Sequence, residues 1–64
     1  MAALYAELSA MLKKKGCRIV RSGKGSHEIW YSPINGMNFS VPHNLASRHT
    51  ANTILKQAGL PKAF

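Results

Sequence analysis

Apolar residues open the chain at the spacing of one helical face. Leu4, Leu8, Met11 and Leu12 stand at i, i+4, i+7 and i+8, which predicts an amphipathic helix over residues 2–15. Alanines around them favour that state, and the run Lys13, Lys14, Lys15 complements the negative end of its dipole. Gly16 supplies the stop. The period then changes to two. Cys17 to Arg21 reads as a strand, with Cys17 and Ile19 on one side and Arg18 and Val20 on the other. Ser22-Gly23-Lys24-Gly25 is a flexible turn, and Ser26 to Ser32 a second strand. Pro33-Ile34-Asn35-Gly36 follows, where Asn-Gly favours the positive φ angles of a tight hairpin turn. A third strand, Met37 to Val41, alternates Met37, Phe39 and Val41 against Asn38 and Ser40, and Pro42 ends it.

His43 to Ala46 is a loop. Ser47 is the expected N-cap of a last helix, with Thr50 the competing choice. Ile54, Leu55 and Ala58 give that helix its apolar stripe. Gly59 fits the C′ position, Leu60 the C″ position over Leu55, and Pro61 blocks continuation. The order is helix, strand, strand, strand, helix, so the fold class is α+β over a single domain, 1–64. Two helices packed on one face of a three-stranded antiparallel meander is the natural two-layer solution. The other sheet face stays open to a ligand or partner.

Size limits what such a domain can do. At 64 residues it buries only about 60% of its unfolded surface, so any chemistry takes place on a face or in a shallow groove. One cysteine excludes an internal disulfide. No apolar run approaches the roughly 20 residues of a membrane span, and the N-terminus lacks the basic region of a signal peptide. A cytoplasmic setting is therefore expected, with no membrane partner.

Charge narrows the picture further. Nine Lys and Arg stand against Glu7 and Glu28, a formal net charge of +7, which favours a polyanion as partner. Lys13, Lys14, Lys15, Arg18, Arg21 and Lys24 crowd the first helix end, first strand and first turn. With Arg48 and Lys56 they could form a track for a phosphate backbone. Trp30 and Tyr31 must point to opposite sides of their strand; one belongs to the core and the other is free to stack on a base.

Candidate chemistry collects around the first turn. A glycine-flanked lysine lets Lys24 and the backbone of Gly25 and Ser26 approach a phosphate closely, although an ordinary hairpin turn would look the same. The spacing of a nucleotide-binding phosphate loop is absent. His27 follows directly, and an imidazole can take a proton from a ribose 2′-hydroxyl or return one to a leaving oxygen. A half-buried structural histidine is the plainer alternative. His27, His43 and His49 match no metal-ligand spacing, and two carboxylates are too few for a two-metal nuclease, so neither metal nor cofactor is expected. His49 reads as an exposed helix residue, His43 as a loop residue or a second proton carrier, and Cys17 as a core thiol.

The chain resembles the HicA family of small toxins over nearly its full length. The resemblance rests on Leu8 and Leu12, on Gly16-Cys17-Arg18-Ile19-Val20-Arg21, and on Gly25-Ser26-His27. It continues with Val41-Pro42-His43 and with Ile54-Leu55-Lys56-Gln57-Ala58-Gly59-Leu60. It implies a double-stranded-RNA-binding-like fold and an endoribonuclease that cleaves mRNA and arrests growth. It also implies a HicB-like antitoxin, with the toxin a monomer when free and part of a hetero-oligomer when neutralised. The family's active histidine corresponds to His27. The expected contacts to RNA are then Lys24, Gly25, Ser26, Arg21, Lys14 and Lys15. A non-catalytic RNA-binding module of the same fold, or an interaction subunit for an acidic protein, are the competing functions. One departure is His49-Thr50, where many members open the last helix with Gly-Thr.

Overall fold

The computed structural model describes residues 3–64. Its order is α1 (Ala3–Lys14), β1 (Arg18–Ser22), β2 (His27–Ser32), β3 (Met37–Pro42) and α2 (Arg48–Gln57). The expected start of α1 at residue 2 lies outside the described residues. The strands form one antiparallel sheet in the order β1-β2-β3, so the α+β class and the α-β-β-β-α order are both found.

Each helix ends in the same way. The Gly16 N–H donates to Lys13 O at 3.0 Å and the Cys17 N–H to Leu12 O at 2.9 Å. At α2 the Gly59 N–H donates to Lys56 O at 3.0 Å and the Leu60 N–H to Leu55 O at 2.8 Å. This paired closure requires a left-handed residue at C′, and Gly16 and Gly59 supply it at φ 91° and 82°. Cys17 is thereby committed to the helix end, which is why β1 begins one residue later than its apolar alternation suggests. Ser47 caps α2, its Oγ accepting from the Thr50 N–H at 3.4 Å. With that cap in place the His49-Thr50 departure does no harm: Ala51 is fully buried one residue on.

The helices cover one sheet face. Leu8 and Leu12 of α1, Ala51, Ile54 and Leu55 of α2, and Trp30, Phe39 and Val41 of the sheet form one core with Cys17, Leu45 and Ala58. Trp30 lies at its centre with no exposure, its ring stacked on Phe39 at 6.4 Å between centroids. Burying an aromatic ring of this size contributes on the order of 4–6 kcal/mol of gross transfer free energy.

Two local features depart from simple alternation. Between Ile19 and Arg21 the β1 register shifts, with Arg18 opposite Tyr31, Ile19 opposite Trp30 and Arg21 opposite Ile29. Val20 is the extra residue of a β-bulge. Arg18 and Arg21 consequently lie on the same face, where strict alternation would set Arg21 with Ile19. The second turn is also wider than a two-residue hairpin. The Gly36 N–H donates to Ser32 O at 2.9 Å, and Gly36 is the left-handed residue while Asn35 is not. Asn35 instead uses its side chain: Nδ2 donates to Gln57 O at 2.8 Å and Oδ1 accepts from the Met37 N–H at 3.1 Å.

Ser32 holds the same corner from within. It is fully buried, donates from Oγ to Ala58 O at 2.6 Å and accepts from the Ile34 N–H at 3.2 Å. Removing the hydroxyl leaves a carbonyl and an amide short of a partner, a loss of about 1–3 kcal/mol. Ser32→Ala is therefore expected to lower the midpoint of thermal unfolding by several degrees, at about 4–8 °C per kcal/mol for a domain this small. Circular dichroism during heating measures it.

Candidate functional site

The alternation of β2 sorts its side chains into two sets. Glu28, Trp30 and Ser32 face the helices, and His27, Ile29 and Tyr31 face the open side. Trp30 is thus the core aromatic and Tyr31 the one on the free face. The ladder sets Ser40 beside Ile29, Asn38 beside Tyr31, Arg21 beside Ile29 and Arg18 beside Tyr31. One surface therefore carries Arg18, Arg21, His27, Tyr31, Asn38 and Ser40. It bears no acidic residue, since Glu28 points to the other side and Glu7 lies on α1.

His27 is exposed, and its Nδ1 lies 3.0 Å from Ser40 Oγ. That places Ser40 on the diagonal of the strand pair, within reach of a long side chain. The turn closes tightly on the His27 backbone: Gly23 N–H donates to its carbonyl at 2.8 Å, and its own N–H donates to Lys24 O at 3.3 Å. A Cβ on Gly23 would lie 3.0 Å from the His27 carbonyl oxygen, so any larger residue there would press on the His27 backbone. Lys24, Gly25 and Ser26 are exposed in this turn, with Gly25 at φ 66°. Ser40 escaped the sequence reading because the signal was only a polar position in β3, and register is needed to pair it with His27.

Behind the sheet a carboxylate gathers three donors. Tyr5 Oη donates to Glu28 Oε1 at 2.6 Å, Trp30 Nε1–H to the same oxygen at 3.1 Å, and His43 Nε2 lies 2.7 Å from Oε2. The His43 ring stacks on Tyr5 at 5.0 Å and 18°. Burial alone would raise the Glu28 pKa, but hydrogen bonds from Tyr5, Trp30 and His43 together outweigh it and hold the carboxyl below its usual range. The same contact acts on Tyr5: burial first, then the bond to Glu28 and its charge, push the phenol up to about 12. His43 is therefore engaged on the helix side of the sheet, while His27 stands on the open side. The His43 N–H donates to the carbonyl of Ser26, the residue before His27, at 2.8 Å.

The basic residues are also divided. Arg18 and Arg21 lie on the open face and Lys24 in its turn. Lys14 and Lys15 instead flank a cleft of about 260 Å³ in the helix layer, with Met11, Leu55, Leu60, Pro61 and Ala63. His49, Arg48 and Lys56 are exposed on α2. Among the described residues no group of three His, Cys, Asp or Glu is arranged to hold a metal ion, and no helix is long and apolar enough to cross a membrane.

A family model described as the HicA toxin of bacterial toxin-antitoxin matches residues 5–60. The chain belongs to the HicA toxins. The match runs from Tyr5 in α1 to Leu60 beyond α2, so it takes in the whole sheet, both helix ends and the His27 turn. No curated protein and no solved structure matches the chain. Membership gives this HicA chain a toxin role in a bacterial toxin–antitoxin system.

The depressed pKa of Glu28 makes a prediction about acid. A carboxyl titrating lower in the folded state contributes stability above its unfolded pKa of about 4.3 and loses it as pH falls through the folded value. Resistance to urea unfolding is therefore expected to fall as pH drops below about 4.3. Glu28→Gln should cost about 1–3 kcal/mol near pH 7 and flatten that acid limb; an unchanged limb would assign the acid loss to another group.

Proposed function

We propose that this HicA toxin is a metal-independent endoribonuclease that cleaves mRNA, with His27 as its proton-transfer group. The observation that carries the reading is the setting of His27: exposed on a basic sheet face, with Nδ1 held by Ser40 Oγ at 3.0 Å. In the tautomer whose Nδ1–H donates to Ser40 Oγ, the Nε2 lone pair is free to act. Nε2 then takes the proton of a ribose 2′-hydroxyl as the oxygen attacks the adjacent phosphorus. The bond to the 5′-oxygen breaks, a 2′,3′-cyclic phosphate forms, and the leaving oxygen takes a proton from water. Lys24 with the Gly25 and Ser26 amides, and Arg21 beside them, hold the phosphate and offset its growing charge.

Water is the second proton carrier in this scheme, because His43 is occupied by Glu28 and Tyr5 across the sheet. Lys14 and Lys15 lie in the helix layer and serve at most a distant stretch of RNA. The reading places the protein in the cytoplasm, as a monomer when free, silenced in a complex with a HicB-like antitoxin. An acid–base group of this kind contributes about 10²–10⁴-fold, so turnover is slow.

His27→Ala is expected to lower the cleavage rate of a structured RNA by about 10²–10⁴-fold with unfolding unchanged, since the side chain is exposed. EDTA should have no effect on the unsubstituted chain, and Ser40→Ala should lower kcat less than His27→Ala. Cleavage that persists in His27→Ala removes the assignment. RNA that is bound with a steep salt dependence but recovered intact makes the chain a binding module instead.

A further inference from the structure

We propose that Tyr31, with the Arg18 guanidinium over its ring, is a stacking subsite for an unpaired nucleobase of single-stranded RNA. The inference rests on the RNA-cleaving reading and adds to it the strandedness of the substrate. Tyr31 shares the open face with His27 four positions along β2, a separation of about 13 Å at strand rise. Arg21 lies beside Ile29, midway between them. A strand of RNA laid along β2 from His27 therefore meets a guanidinium first and an aromatic ring next.

The ring and the cation are in place before any ligand arrives. Arg18 Cζ lies 5.1 Å from the Tyr31 centroid, and Tyr31 is half-buried against the sheet. Both surfaces accept a base: aromatic rings and guanidinium planes are the two platforms on which unstacked bases settle. A paired base offers neither face, which excludes the interior of a duplex. The core does not call for this arrangement, because Tyr31 lies on the far side of the sheet from Trp30 and no carboxylate on that face engages Arg18. The bulge at Val20 brings Arg18 and Arg21 to one side, and the result is a basic aromatic stripe leading away from His27.

The test uses the full chain and short 2′-O-methyl strands, which lack the nucleophile and stay intact. Binding of an oligoadenylate and of an abasic strand of equal length is followed by fluorescence anisotropy, beside a duplex of the same length. The unsubstituted chain should prefer the oligoadenylate to the abasic strand by about 5- to 100-fold, the range for one stacked base, and prefer it to the duplex. Tyr31→Ala should bind both single strands alike, Tyr31→Leu should repeat that loss with an apolar side chain retained, and Tyr31→Phe should keep the preference. A base preference that survives in Tyr31→Ala and Tyr31→Leu, or equal binding of duplex and single strand, overturns the subsite. No affinity for any of the three overturns the RNA reading itself.

Discussion

The carboxylate of Glu28 is the contact on which the two sides of this domain depend. It belongs to the strand that carries His27 and the next residue along, so it points to the helices while His27 points away. From there it binds α1 through Tyr5, the core through Trp30, and the chain leaving β3 through His43. A lone carboxylate so placed would be strongly penalised; buried Trp30 and half-buried Tyr5 reach it from the core side, and His43 from an exposed position. Together they satisfy one another. A half-buried anion with three donors also fits a chain with only one other acid, because nothing competes for the tyrosine and imidazole.

The arrangement also anchors the turn before His27. The chain after β3 is pinned twice at the start of β2, by His43 N–H on Ser26 O and by His43 Nε2 on Glu28. Glycine at 23 lets the opposite side of the turn close on the His27 carbonyl. His27 therefore projects from a backbone held on both sides although its own side chain is exposed.

The sequence made much of this legible, and the parts it hid share a cause. Helix ends were readable because Gly16 and Gly59 act locally, on carbonyls three to five residues away. The core stripe of α2 and the alternation of β3 were readable for the same reason. What local pattern does not contain is register. Whether Trp30 or Tyr31 faces the core, that Ser40 meets His27, and that Val20 bulges out all depend on which residue of one strand lies opposite which of another. His43 shows the limit most sharply: as a loop histidine it was open to a proton-carrying role, and only the approach of Glu28 and Tyr5, 15 and 38 positions away in the chain, ties it to the helix side.

The open face carries its own thermodynamic argument. Bringing Arg18 and Arg21 to one side of a narrow sheet sets like charges near each other, and like charges close together destabilise a compact state. Strict alternation would have separated the two by sending Arg21 to the side that the helices cover. The bulge rejects it, and no acid on that face offsets the repulsion; the Tyr31 ring takes up only one of the two guanidinium groups. Strain of this electrostatic kind is relieved by an anion, and the RNA strand proposed above, laid along β2, would relieve it at both positions while bringing a phosphate to the end where His27 stands.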